Sequence, residues 1–300
     1  MDGVLIIDKP AGPTSHDVVA RVRRTLRTRR IGHTGTLDPL ATGVLPLVIG
    51  RATRLASFLS GAEKEYEAGV RLGLATETFD AADRVGPAPV PPEGIDFARI
   101  DRALDEFRGA FEQSPPAYSA KKINGVAAYK LARQQVAVQP RAVPVVVTHL
   151  ALRSYELGLA RVRVRASAGF YVRSLAHDLG QRLGCGAHLE TLRRVRAGAF
   201  DEDAAVPLEA VEAAGVDATG FIVPIERLLL EVPSVVLNER GARRASHGNE
   251  LSPEDLASAP AISAGGTAAP QWRLLDAAGM LVGIAESRPG GVLHPVIVLV

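Results

Sequence analysis

Asp38 lies in the stretch Gly32-His33-Thr34-Gly35-Thr36-Leu37-Asp38-Pro39-Leu40-Ala41-Thr42-Gly43-Val44-Leu45, which is polar and punctuated by glycine. Glycine permits backbone geometry that other residues resist, and Pro39 fixes the chain directly after the acid. The stretch therefore reads as a shaped loop that presents a side chain. A carboxylate held this way can act as nucleophile or base, provided that it is ionised. An adjacent arginine lowers the pKa of a partly buried acid and keeps it charged. Arg173, which ends the segment Gly169-Phe170-Tyr171-Val172-Arg173, is the candidate partner.

The elements around this loop follow from the pattern of apolar residues. Val4-Leu5-Ile6-Ile7 suits a buried strand, and Lys9-Pro10-Ala11-Gly12-Pro13 ends it. Thr14 and Asp17 have capping-box spacing. Val18, Val19, Val22 and Leu26 share one helical face, which predicts a helix over 15–28. The other face carries Arg21, Arg23, Arg24, Arg27, Arg29 and Arg30 with no alternating acids, a surface suited to phosphate.

Beyond the loop, Val44 to Ile49 is a second apolar run. Tyr66, Ala68, Val70 and Leu72 alternate with polar or small residues as in a half-buried strand. The proline-rich segment from Val85 to Asp96 reads as a loop, and Phe97 to Phe107 as a helix. A basic loop from Ser114 to Gly125 contains Tyr118 and Lys121. It precedes a helical pattern over Val126 to Gln134 that offers Tyr129, Lys130 and Arg133 to a surface. Val143 to Leu152 is β-branched enough for a strand. Arg161 to Ala166 alternates strictly, which predicts a strand with Arg161, Arg163 and Arg165 on one face. Leu175, Leu179 and Leu183 then repeat along a helix that Gly184 stops, so Tyr171 and Arg173 fall at a strand-to-helix junction. After Phe200 the basic character fades, and a boundary near residue 228 is expected. Ser252 to Pro270 reads as a surface loop, and Gln271 to Leu275, Leu281 to Glu286 and Val292 to Val300 as strands.

Composition narrows the chemistry. The 300 residues, 47% of them hydrophobic, can bury a full core. The sequence has no apolar run long enough for a bilayer and no basic-then-apolar leader, so a cytoplasmic protein is expected. One cysteine, Cys185, excludes an intrachain disulfide, and the histidines show no metal-site spacing. Without a Walker loop or a dinucleotide fingerprint, the chemistry falls to side chains. The net charge of +2 hides segregation by position. Residues 1–60 hold nine Lys/Arg against four Asp/Glu and residues 161–196 hold eight against two, while residues 76–106 hold eight acids against three arginines.

Three motifs then meet in order: Gly3-Val4-Leu5-Ile6-Ile7-Asp8-Lys9-Pro10-Ala11-Gly12-Pro13-Thr14-Ser15, the Asp38 stretch, and Gly169-Phe170-Tyr171-Val172-Arg173-Ser174-Leu175. Together they closely resemble the TruB family of tRNA pseudouridine synthases. The resemblance continues through Pro115-Pro116-Ala117-Tyr118-Ser119-Ala120-Lys121 and Leu192-Arg193-Arg194-Val195-Arg196-Ala197-Gly198-Ala199-Phe200. It implies an α+β fold, with a pseudouridine synthase-type mixed, mainly antiparallel sheet and flanking helices over 1–228. A small β-rich PUA-like RNA-binding domain over 229–300 is implied in outline.

The activity implied is isomerisation of uridine 55 in the T loop of tRNA to pseudouridine. The N1 glycosidic bond breaks, the uracil turns and C5 rejoins the ribose. No cofactor is needed, because nothing is gained or lost. The base must first be extruded from its stack, at a cost of about a few kcal/mol. Asp38 matches the catalytic aspartate, acting on the ribose or on the uracil ring. Tyr66 matches the aromatic that stacks on the flipped base, and Arg173 the partner of Asp38. His33 matches the residue that fills the vacated stack, while Asp80, Tyr171 and Leu192 match pocket positions. Lys9 lies in the N-terminal motif, where a structural role is the stronger reading. Arg27, Arg30 and Lys121 are expected to meet RNA. The resemblance implies a monomer with tRNA as partner and no obligate protein partner. A non-catalytic RNA-binding protein is the competing class, which the intact Asp38 motif disfavours. A guide-RNA-dependent relative is disfavoured because the chain begins almost at its first motif.

Overall fold

The computed structural model describes residues 1–83, 92–119, 121–123, 126–128, 131, 134, 140–257 and 271–299. The first half of the chain supplies strands β1 (Gly3–Lys9), β2 (Ile31–His33), β3 (Thr42–Ile49), β4 (Lys64–Leu72) and β5 (Gly109–Gln113). Two short strands, β6 (Lys122–Ile123) and β7 (Val126–Ala127), pair with each other. Next come β8 (Val143–Glu156), β9 (Leu159–Ala166), β10 (Ala187–Ala197), β11 (Phe200–Asp201), β12 (Val206–Pro207) and β13 (Val223–Pro224). Among the described residues eleven of these strands form one sheet with the backbone order β12-β1-β3-β10-β4-β9-β8-β5. Only β1–β12 and β3–β10 are parallel, so the sheet is mixed and mainly antiparallel, as expected.

Burial explains why β1 and β3 read as unbroken apolar runs. Leu5, Ile7, Leu45, Leu47 and Ile49 face one core, which also receives the helices Ser15–Thr25 and Val172–Leu183. Val4, Ile6, Val44 and Val48 face a second core on the other side of the sheet. A strand covered on both faces has no reason to alternate. In β4, by contrast, Ala68, Val70 and Leu72 are buried and Glu67 is exposed, the alternation of a half-covered strand.

The first helix begins at the predicted capping box, in which the Asp17 N–H donates to Thr14 Oγ1 at 3.1 Å. It ends at Thr25, earlier than the periodicity suggests, because Arg27 turns into the left-handed region at φ 49°. The Thr28 N–H reaches the Arg23 carbonyl at 3.1 Å and the Arg27 N–H the Arg24 carbonyl at 3.3 Å, a Schellman-type end. The Val172–Leu183 helix stops at Gly184, φ 74°, as predicted.

The expected helix over Val126 to Gln134 begins differently, since Val126 and Ala127 are the strand β7. Apolar spacing over a few residues cannot tell a hairpin strand from a first helical turn. Tyr129, Lys130 and Arg133 lie outside the described residues, as do 84–91 of the proline-rich segment and 258–270 of the Ser252 loop. Ser252 itself opens a capped 3-10 turn, Pro253–Asp255.

Near the C-terminus, β14 (Ser234–Val236), β15 (Gln271–Leu275), β16 (Leu281–Arg288) and β17 (Val292–Val298) form a separate four-stranded sheet. It has its own core around Leu237, Trp272 and Leu274. Leu281, Ile284 and Leu299 also join Ile225 and Leu228 in the second core of the large sheet, so the C-terminal layer covers the back of β1 and β3. Among the described residues no helix is long and apolar enough to cross a membrane.

Candidate active site

The Asp38 loop leaves β2 and returns as β3, and both ends are held by groups from far along the chain. Ser15, buried at the start of the first helix, receives the Leu37 N–H at 2.8 Å and donates to the Leu37 carbonyl at 3.0 Å. The Gly12 N–H donates to the Pro39 carbonyl at 2.8 Å. Lys9 is fully buried and donates to the Ala41 carbonyl at 2.7 Å and the Pro10 carbonyl at 2.9 Å. Arg194, 1% exposed, donates from Nε to the Val44 carbonyl at 2.7 Å and from Nη2 to the Gly35 carbonyl at 3.1 Å. Gly43, at φ 98°, lets β3 pass β10 so closely that an added Cβ would stand 2.2 Å from the Arg194 carbonyl oxygen. With the carbonyls of Gly35, Leu37, Pro39 and Ala41 occupied, the loop is held on both sides of Asp38.

Arg173 meets Asp38 as the sequence predicts. Nε lies 2.9 Å from Oδ2, off the direction of its N–H, while Nη2 donates to Oδ1 at 3.1 Å. The remaining donors reach the Thr78 carbonyl at 3.0 Å and the Tyr118 carbonyl at 2.9 Å, and Nη1 stands 3.6 Å from Asp80 Oδ2. The guanidinium is thus fixed by three separate segments. Gln113, also buried, clamps the backbone of Tyr171 from both sides at 2.7 and 3.1 Å, which sets the start of the Arg173 helix. Asp80 is buried and is itself fixed by the Thr78 hydroxyl at 2.8 Å and the Ala82 N–H at 3.0 Å.

The electrostatics differ from the expectation that the arginine alone sets the acid. Burial is the largest influence on Asp38 and pushes its carboxyl up; Arg173 pulls it down, and the nearby charge of Asp80 pushes it up again. The carboxyl stands above its ordinary value, so Arg173 opposes the effect of burial without cancelling it. The side chain keeps 31% of its surface open to the cleft, where a ligand can reach it.

That cleft has a volume of about 400 Å³. Of the predicted residues, Asp38, Tyr66, Tyr171, Arg173, Leu192 and Lys121 line it. Tyr66 is set in β4 between Val164 of β9 and Arg194 of β10. Burial raises the Tyr171 hydroxyl above its ordinary value, which keeps it protonated. Lys121 donates to the Arg141 carbonyl at 3.0 Å. Lys9, His33, Asp80, Arg27 and Arg30 do not line the cleft. Lys9 has no exposed surface and fastens the loop, which is the structural alternative; its ammonium is lowered to about 8, by burial above all. His33 is half-buried at the end of β2, accepts a long 3.4 Å hydrogen bond from the Gly35 N–H, and is lowered by burial and then by His16 and Arg194.

The arginines divide into paired and unpaired groups. Arg24, Arg27, Arg29 and Arg30 are exposed on and after the first helix, with Arg30 donating to the Thr53 hydroxyl at 3.1 Å. Arg21 is paired with Glu212 at 2.7 Å. The strand of arginines on β9 is not the free basic face that its own alternation suggests. Glu65, on the neighbouring β4, takes Arg163 at 2.7 Å, Arg165 at 2.9 Å and Arg196 at 3.2 Å. Cross-strand neighbours set that pairing, and a single strand read alone does not show them.

Sequence reasoning missed Ser15, Gln113, Lys64 and Arg194 as parts of the site, because each acts through a backbone group or from beneath the surface. Arg194 stands between Arg193 and Arg196 in β10, so its charge alone does not set it apart; what distinguishes it is its burial.

Comparisons with known proteins identify the family. A sequence model of the N-terminal domain of TruB family pseudouridylate synthases matches residues 23–172, and one of the tRNA pseudouridylate synthase B C-terminal domain matches residues 173–233. The tRNA pseudouridine synthase B of Solibacter usitatus is 44% identical over 301 residues, covering 100% of both chains. That of Burkholderia mallei is 41% identical over 296 residues, 98% of this chain and 96% of its own. Among solved structures, an H/ACA RNP bound to a substrate RNA containing 2'-deoxyuridine includes a chain with TM-score 0.74 at 26% identity, aligned over 99% of this chain and 85% of that one. Matched by both family models and by relatives of the same length, the chain belongs to the TruB family of tRNA pseudouridine synthases.

Proposed function

We propose that the protein isomerises uridine 55 in the T loop of tRNA, using Asp38 on an extruded nucleotide and no cofactor. The observation that carries this reading is the Asp38–Arg173 pair at 2.9 and 3.1 Å on the floor of a cleft that also contains Tyr66. Asp38 acts as the ionised carboxylate, on ribose C1′ or on the uracil ring. On either route the N1–C1′ bond breaks, the uracil turns within the cleft, and C5 bonds to C1′. The C5 proton leaves and N1 gains one, so atoms and electrons balance. Arg173 orients the carboxylate and opposes the effect of its burial, and Asp80 steadies the guanidinium. Tyr66 and Leu192 hold the planar base, for which an aromatic face is suited. His33 fills the space that the nucleotide leaves in the RNA.

The exposed Arg24, Arg27, Arg29 and Arg30 hold the phosphates of the T arm, which offsets the cost of extrusion. Residues 1–228 form the catalytic domain, and 229–300 a PUA-like RNA-binding domain. The protein works in the cytoplasm as a monomer without an obligate protein partner. The tRNA-modifying relatives support a stand-alone enzyme, being 41% and 44% identical where the RNP chain is 26% identical.

The test uses tRNA carrying tritium at C5 of the target uridine. Wild type is expected to release the label and Asp38→Asn to release none. Tight binding of that tRNA by wild type without release would refute the proposal. Mass measurement of the intact RNA cannot substitute, because isomerisation leaves mass unchanged.

A further inference from the structure

We propose that Lys64 and Arg194 form a subsite on the cleft floor for a backbone phosphate of the RNA beside the extruded uridine. The proposal rests on the tRNA reading above. Both side chains line the cleft, yet Lys64 is only 8% exposed and Arg194 1%. Their known hydrogen bonds go to carbonyls. Lys64 donates to Ala62 at 2.6 Å and to Ser60, and Arg194 to Val44 and Gly35. Carbonyl oxygens satisfy donors but do not neutralise charge.

Among the described residues no Asp or Glu stands within 4.0 Å of either group. Arg163, Arg165, Arg173 and Arg196 all have acidic partners; Lys9 and Arg273 are buried and bonded to carbonyls as Lys64 and Arg194 are, but neither lines the cleft. Buried charges are ordinarily paired, and two unpaired charges of like sign lining one cleft attract an anion from outside.

Donor geometry supports the same occupant. An ammonium has three donors and Lys64 commits two of them; Arg194 commits Nε and Nη2. Gly35 has no side chain to cover the remainder: a Cβ there would lie 3.5 Å from Arg194 Nη1 and 3.8 Å from Lys64 Cε. The ammonium of Lys64 is lowered to about 8, first by burial and then by the charge of Arg194. Arg194 likewise acts against protonation of Lys9 and His33. This accumulation of positive potential is relieved when a phosphate enters. The alternative is that Lys64 only caps the end of the Ala56–Gly61 helix.

A T-arm hairpin RNA in which single phosphates flanking the target uridine are replaced by neutral methylphosphonates separates the two. Equilibrium binding is measured with wild type, Lys64→Met and Lys64→Arg. One replacement is expected to weaken wild-type binding about tenfold, as is Lys64→Met with the native RNA, and the two losses should not add. Lys64→Met should also reduce the slope of log affinity against log salt by about 0.7, whereas Lys64→Arg retains sensitivity to the same phosphate. Wild-type binding that no flanking methylphosphonate weakens overturns the proposal without recourse to any variant. So does full additivity. Tritium release from the native hairpin is read in parallel: its absence in wild type refutes the isomerase reading, while the phosphate coupling is decided by binding alone.

Discussion

Arg173→Lys keeps the charge beside Asp38 and removes the planar fork, so it isolates geometry from electrostatics. The guanidinium spans two carboxylate oxygens at 2.9 and 3.1 Å and the carbonyls of Thr78 and Tyr118 at 3.0 and 2.9 Å. These acceptors come from three different segments. A single ammonium nitrogen cannot reach all four, and at least two contacts are lost. At about 1.5–3 kcal/mol for each hydrogen bond to a charged group, the loss of two is about 3–6 kcal/mol. Part of this appears as lower stability, because the two carbonyls lose their donor. The rest appears as misplacement of Asp38, for which a shift on the order of 1 Å costs about a hundredfold in rate. The single-turnover rate of tritium release, with enzyme in excess, is therefore expected to fall between about 10² and 10³, with RNA binding changed only a few-fold. Urea denaturation supplies the stability share. A rate within about threefold of wild type, with stability unchanged, would show that the fork does not position the acid.

Two further outcomes follow from the same geometry. The raised carboxyl of Asp38 predicts a rate that climbs with pH through a midpoint above 3.8, and Asp80→Asn should move that midpoint down because the Asp80 charge is one of the groups raising it; an unmoved midpoint would leave Asp80 with a purely positional role. Since the folded-state pKa is raised, the folded protein holds the proton more tightly than the unfolded chain, and stability declines as pH rises from 3.8 through that midpoint. The stability of Asp38→Asn relative to wild type should accordingly improve over the same interval, read from urea midpoints. Gly43→Ala places a Cβ 2.2 Å from the Arg194 carbonyl oxygen at φ 98°, and should destabilise by about 3 kcal/mol in urea; a change under about 1 kcal/mol would mean that β3 and β10 can separate without loss.

Much of this structure is legible in the sequence because local rules decide it. The capping box at Thr14, the stop at Gly184 and the strands Gln271–Leu275 and Leu281–Arg288 depend on neighbours a few residues away. The Asp38–Arg173 contact was expected, since an acid in a shaped loop needs a cation. What escaped depends on which strands become neighbours. Glu65 pairs with Arg163 and Arg165 only because β4 lies beside β9, so a strand face that reads as freely basic has two of its arginines engaged by an acid. The sign of the shift at Asp38 escaped for a similar reason: the amount of protein around a carboxyl is a property of the fold, and here it outweighs the arginine. Val126 and Ala127 form a strand because they find Lys122 and Ile123 as partners, which their own spacing does not reveal.

The insertion of β10 between β3 and β4 also governs when in the life of the chain the site can exist. Thr42 donates to the Leu192 carbonyl across 150 residues, Arg173 reaches Asp38 across 135, and Arg194 reaches the Gly35 carbonyl across 159. A ribosome adding about 5–20 residues per second leaves the Asp38 loop without its arginines for roughly 7–30 seconds after its own synthesis. During that interval β3 has an open edge where β10 will later lie, and the nascent chain comes to hold Asp38 and Asp80 without the guanidinium that later stands between them. RNA encountered before Ala197 has emerged meets the exposed arginines of the first helix without an assembled site, so competence for isomerisation arrives late.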